Sequence, residues 1–131
     1  MMRKNTKIDK QTEDLAYKVI GASIEVHRIL DPGLLESIYE NALCIELAER
    51  KIAFERQKEI PVIYKGQSIG NNFVDIMIND SIILELKSVN KLHPVHQAQL
   101  ITYLKISQKP LGYLINFNTR FLKEGIKSFV I

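Results

Sequence analysis

Asp75, Glu85 and Lys87 lie in two short apolar runs on either side of Asn79-Asp80. Two carboxylates held at the distance between neighbouring strands form a hard-oxygen cation site, of the kind Mg²⁺ uses when waters and phosphates complete its octahedron. An amine beside them can orient or help deprotonate an attacking water, or stabilise charge on a phosphoryl oxygen. Glu85-x-Lys87 is the shortest spacing that puts both side chains on one face of a strand. A solvated ladder of Asp, Glu and Lys on the open side of a sheet has the same spacing. The residues alone fit both readings.

Register decides whether the three meet. Residues 73–78 and 82–87 read as strands around a turn. Alternation puts Val74, Ile76 and Ile78 on one face of the first strand and Phe73, Asp75 and Met77 on the other. On the second strand it separates Ile82, Leu84 and Leu86 from Ile83, Glu85 and Lys87. A two-residue turn at Asn79-Asp80 would oppose Asp75 to Leu84 and mix the apolar faces. A three-residue loop, Asn79-Asp80-Ser81, opposes Ile78 to Ile82, Ile76 to Leu84 and Val74 to Leu86. A one-residue slip exchanges the buried and exposed sets, so the second register is expected. It sets Asp75 opposite Glu85, with Lys87 further along the same face.

Other segments must carry this hairpin. Leu15, Val19, Ala22, Val26 and Ile29 recur at helical spacing and predict a helix over residues 12–30, with Thr12 as its N-cap. Glu13 and Asp14 suit its first turn, His27 and Arg28 its last. Asp31-Pro32-Gly33 ends it. A second helix is expected over residues 34–51, with Leu35, Tyr39, Ala42 and Ile45 on its buried stripe. Residues 60–64 read as a strand ending at Lys65-Gly66, and Pro94 opens a third helix over residues 95–107. Residues 111–117 form a further strand, and residues 128–131 offer a short closing one. The order ααβββαβ implies an α/β (α+β) fold, a mixed sheet flanked by helices.

A length of 131 residues suits one domain, expected over residues 12–131 behind a basic tail, 1–11, that carries Arg3, Lys4, Lys7 and Lys10. Lys and Arg number 18 against 15 Asp and Glu, a balance that permits a polyanionic partner without pointing to one. Cys44 is the single cysteine, which excludes an intramolecular disulfide and a Cys-rich zinc site and fits a reducing compartment. On its helix it reads as a small buried hydrophobe. His93 and His96 are expected to cap the third helix. The basic N-terminus has no apolar stretch behind it, and no run approaches the ~20 apolar residues of a membrane helix. A cytoplasmic protein with no membrane partner is the expectation.

Asp75, nine intervening residues and then Glu85-Leu86-Lys87 resemble the signature of the PD-(D/E)xK phosphodiesterase superfamily. Gln99-Leu100-Ile101-Thr102-Tyr103 is similar to the Q-x-x-x-Y motif of its exonuclease-like branch. Gly33-Leu34-Leu35-Glu36-Ser37-Ile38-Tyr39 resembles the signature of the GxxExxY family, as do Pro94-Val95-His96-Gln97-Ala98-Gln99-Leu100 and Leu114-Ile115-Asn116-Phe117-Asn118. The resemblance covers residues 20–131 and implies a restriction-endonuclease-like core. It also implies that Asp75 and Glu85 bind Mg²⁺ or Mn²⁺, with the Leu86 carbonyl, while Lys87 works on the water. Glu36 would contact the metal directly or through water, and Gln99 and Tyr103 would orient Lys87 or touch the substrate backbone. The chain departs from the pattern at Val74, which replaces Pro, and at Phe73, where relatives often carry a basic residue.

The resemblance therefore implies metal-dependent hydrolysis of nucleic-acid phosphodiester bonds. Its rivals are a nuclease-fold module that binds nucleic acid or a protein partner without cutting, and a purely structural subunit. So small a core leaves little surface to grip a duplex, so a homodimer or a protein partner is expected to complete the groove. DNA and RNA remain equal choices from these residues.

Overall fold

Asp9, not Thr12, opens the first helix. Its carboxylate accepts a 2.7 Å hydrogen bond from the Thr12 amide, and α1 runs Lys10–Leu30. Both residue types cap well, but Asp9 comes first and adds its charge to the positive end of the helix dipole. The computed structural model describes residues 8–131, so Arg3, Lys4 and Lys7 of the basic tail fall outside the described residues. Lys10 belongs to the helix and pairs with Asp14.

α1 buries Ala16, Val19, Ala22, Ser23 and Val26, while Ile29, expected on that stripe, stays exposed. α2 (Glu36–Glu49) is shorter than its periodicity predicts and buries Tyr39, Leu43, Cys44 and Leu47. Leu35 and Ile45, expected inside, are exposed. Tyr39 explains the rotation. Its ring stacks on Phe117 at 4.5 Å, and its hydroxyl donates to the Asp31 carbonyl and accepts from the Leu34 amide. With Tyr39 so fixed, steps of four carry burial to Leu43 and Leu47.

The strands are β1 (Phe54–Tyr64), β2 (Gln67–Ile78), β3 (Ile82–Lys87), β4 (Leu111–Asn116) and β5 (Ile126–Val130), and they lie side by side in that order. The β3–β4 pair is parallel because α3 (Pro94–Ser107) crosses between them; the other pairs are antiparallel. A 3₁₀ turn, Leu122–Gly125, leads into β5, which confirms the closing strand and starts it earlier. α1 and α2 pack over Ile76, Ile78, Ile82, Leu84 and Leu86. Leu100 and Leu104 of α3 cover the opposite face at Met77, Ile83 and Leu114. β3 is therefore buried on both sides, which is why it reads as a nearly continuous apolar run.

β1 and β2 begin well before the apolar segments that announced them. Residues 54–59 and 67–72 are mostly polar, so alternation does not reveal them. β1 and β2 pair with each other along their length around Lys65 and Gly66, whose φ values of 49° and 79° suit the tight turn of a two-residue hairpin. At the other end of β2 the expected register forms, with Ile78↔Ile82, Met77↔Ile83 and Ile76↔Leu84. The Ser81 amide closes the loop onto the Ile78 carbonyl at 2.8 Å.

Val74 does not join Ile76 and Ile78 as expected. It packs with Met77 and Ile83 on the α3 side, and the Val74–Leu86 pair is missing from the ladder. The alternation of faces slips at Asp75. Opposite that residue, Gln57 takes a φ of 46°, and β1–β2 pairing passes from Arg56↔Ile76 to Lys58↔Val74 without a pair between them. Phe73, expected on the face of Asp75, is half-exposed.

The 3₁₀ turn is set by Gly125, because a Cβ there would collide with the main-chain oxygen of Asn116. Gly125→Ala should cost about 1–3 kcal/mol, the usual range for forced overpacking, and lower the melting temperature by several degrees. A melting curve that superimposes on wild type would show that no such contact limits the turn.

Candidate metal and catalytic centre

The site sits where β2 and β3 part. Their ladder ends at Ile76↔Leu84. At the next step the main-chain bonds give way to two side chains. The Asp75 amide donates to Glu85 Oε2 at 2.7 Å, and the Leu86 amide donates to Asp75 Oδ2 at 2.7 Å. Each carboxylate satisfies the backbone of the other strand, so both are held rigidly against each other. The exchange leaves Glu85 Oε1 without a hydrogen bond among the described residues, and Asp75 Oδ1 with only a 3.5 Å approach from Gln57 Nε2.

The electrostatics are strained. Glu85 is 6% exposed, and burial followed by the charge of Asp75 pushes its pKa up to about 8. Burial also raises Asp75, against the opposing pull of the Leu86 amide. Lys87, half-buried on the same strand, favours the charged form of both acids and makes no ion pair among the described residues. Like charges crowded in a poorly solvated place call for a cation.

α3 closes one side. Gln99 Nε2 donates to the Tyr103 hydroxyl at 2.8 Å, one helical turn away. Burial raises the pKa of Tyr103, and the neighbouring Glu85 charge adds to it. Gln99 and Tyr103 are thus brought to the acids as a bonded pair; no hydrogen bond joins either to Lys87. His93 and His96 cap α3 as expected, with His96 Nδ1 accepting from the His93 amide at 3.1 Å. His96 has its pKa lowered by burial and then by the Lys87 charge.

α2 offers two acids to this region, Glu36 and Glu40. Glu36 is exposed, forms no hydrogen bond to Asp75 or Glu85, and acts electrostatically on His96. Glu40, one turn later, is the α2 carboxylate that raises both acids of the pair. Gln57 Nε2 lies 3.1 Å from Glu40 Oε1 and so links that acid to Asp75. Arg56 balances Glu40 through a 2.9 Å ion pair. Sequence reading passed over Glu40, Arg56 and Gln57. A polar run inside a strand, opposite an acid, was the available signal. Gly33 and Tyr39 serve the turn between α1 and α2: Gly33 adopts a φ of 101°, and Tyr39 pins Asp31 and Leu34.

Asn116 was also missed. It is 3% exposed at the end of β4, in register with Lys87, and its amide group bonds both main-chain groups of Val89. It fixes the segment that leaves Lys87. A polar residue closing a wholly apolar strand could have marked it.

A half-open carboxylate pair thus lies at the divergence of two strands on a mixed sheet, with a lysine and a helix beside it. A family model described as the PD-(D/E)XK nuclease superfamily matches residues 13–129, and the chain belongs to that superfamily. No curated protein matches the chain. No helix among the described residues is long and apolar enough to cross a membrane.

Proposed function

We propose that the protein is a Mg²⁺- or Mn²⁺-dependent nuclease that hydrolyses phosphodiester bonds of nucleic acid. The observation that carries this reading is the exchange between Asp75 and Glu85, which spends one oxygen of each acid on the backbone and leaves the other open. The residues fit a hard divalent cation. Among the described residues no group of three His, Cys, Asp or Glu side chains converges, so the two acids would hold it with the Leu86 carbonyl, waters and substrate phosphate. Glu40, linked to Asp75 through Gln57, is the favoured third acid in this reading, ahead of the exposed Glu36. When bound, the cation supplies the charge that lowers the pKa of water and neutralises phosphoryl oxygen.

The chain's own groups do the rest. Asp75 and Glu85 fix the reacting phosphate by fixing what it binds to. Lys87 orients the attacking water and stabilises the charge that grows on phosphoryl oxygen. Tyr103, with Gln99, hydrogen-bonds the substrate backbone beside Glu85. We further assign the chain to the GxxExxY branch, on the residues quoted above, and expect it in the cytoplasm. A homodimer or a protein partner would complete the grip on a duplex, and light scattering during cleavage reads this directly.

The test is cleavage of labelled single- and double-stranded substrates with Mg²⁺ and with EDTA. Wild type should cut only with metal, and Asp75→Ala should lose activity together with metal affinity, since a charged ligand is gone. Cutting that survives in Asp75→Ala would refute the assignment. Wild type that holds Mg²⁺ and cuts neither substrate would leave a non-cutting module in its place.

A further inference from the structure

A groove of about 420 Å³ lies between the end of α1 and the segment that follows β4. Ile24, His27, Arg28, Arg120, Phe121 and Lys123 wall it, and none of them belongs to the centre described above. Its character is aromatic and cationic together. Phe121 is 53% exposed, and the Arg120 guanidinium lies 5.2 Å from its ring centroid. Asp31 is the one acid in the lining. Glu25 takes up Arg28 in a 2.8 Å ion pair, whereas Arg120 and Lys123 form no ion pair among the described residues.

The groove is tied to the Lys87 end of the sheet. β3 and β4 run parallel with Lys87 paired to Asn116, and Asn116 binds Val89, while Asn118 Nδ2 donates to Asn90 Oδ1 at 3.2 Å. The segment leaving Lys87 and the segment entering the groove are therefore stitched side by side. His27 Nε2, 2.7 Å from the Thr119 carbonyl, fastens α1 to the same segment. Arg120 follows Asn116 by four residues, a reach of at most ~14 Å, and paired strands lie ~5 Å apart. A few nucleotides span that distance.

An exposed ring beside free cations matches a planar base carried on an anionic backbone. Duplex nucleic acid hides the faces of its bases, and an acidic peptide would meet the cations but leave the ring unused. We propose that this groove holds an unpaired stretch of a nucleic-acid strand, with a base on Phe121 and backbone phosphates at Arg120 and Lys123. The inference rests on the nuclease reading for its substrate class and narrows that class to single-stranded regions.

The chain is tested by fluorescence anisotropy in EDTA, with a labelled oligothymidylate and with the same strand in a duplex. Wild type should bind the single strand more tightly. Phe121→Ala should weaken it roughly 10-fold, as loss of one stacked base does. Arg120→Gln/Lys123→Gln should weaken it as well and flatten the logarithmic salt dependence by about 1.4, for two single-strand phosphate contacts. EDTA withholds the cation, so the groove is judged apart from hydrolysis. Loss of binding in the groove variants of a protein that never cuts would sustain the groove and sink the nuclease. Cutting by wild type with groove variants that bind and cut normally would overturn the groove alone. Absence of single-strand binding, or displacement of the strand by polyglutamate at equal charge, would also overturn it.

Discussion

Lys87→Ala is expected to lower metal-dependent cleavage by roughly 100-fold or more, the ordinary contribution of a positioned acid–base or charge-stabilising group. Mg²⁺ affinity should stay level or rise slightly, because a positive charge beside the two acids is removed. The side chain carries no ion pair among the described residues, so the fold should survive and circular dichroism should be unchanged. Lys87→Arg then separates two roles. Arginine keeps the charge but does not give up its proton at any ordinary pH. Substantial activity in Lys87→Arg fits charge stabilisation, and a loss equal to that of alanine fits a role that needs the amine itself. Undiminished cleavage by Lys87→Ala would remove the lysine from the chemistry.

The second large effect is on stability. Without metal, Glu85 titrates near pH 8 in the folded chain and near its ordinary 4.5 when unfolded. Between those values the folded state holds the extra proton, so stability falls as pH rises. Below 4.5 both states are protonated and nothing is lost; above about 8 the loss is complete. It amounts to a few kcal/mol, on the order of 1.4 kcal/mol for each pH unit of the window. Glu85→Gln cannot ionise and keeps an oxygen for the Asp75 amide. Melting of wild type minus Glu85→Gln should therefore drop across this window, and the subtraction cancels the other titrating groups. Mg²⁺ should restore the lost stability at high pH by binding the folded state. A difference that is flat in pH would mean that Glu85 is ionised in the metal-free fold.

The parts legible in the sequence were those that apolar patterning controls. Ile76, Ile78, Ile82 and Leu84 could bury together in only one register, and that register brought Asp75 to Glu85. The outer halves of β1 and β2 were hidden because main-chain pairing, not a buried face, holds residues 54–59 against 73–78 and beyond. The stripe of α2 turned because Tyr39 has partners on the loop before it and on Phe117, far along the chain. Val74 changed sides through a local break at Asp75 and Gln57 that no alternation rule contains. Glu40 entered for the same reason, since it meets Asp75 only through Gln57. Patterning made the chemistry-bearing residues of one hairpin readable, and motif resemblance pointed to Gln99 and Tyr103; Glu40 and Gln57, which come from α2 and β1, had neither signal.

Calorimetric titration of Mg²⁺ at a pH above the Glu85 value of about 8 reads the carboxylate pair directly. Wild type should bind one cation per chain, and the Asp75→Ala/Glu85→Ala double variant should give no binding heat while retaining its circular dichroism. At lower pH the wild-type isotherm should weaken and carry proton release, because the cation must displace the Glu85 proton. A wild type that binds no cation, or a folded double variant with the same isotherm, would contradict the site.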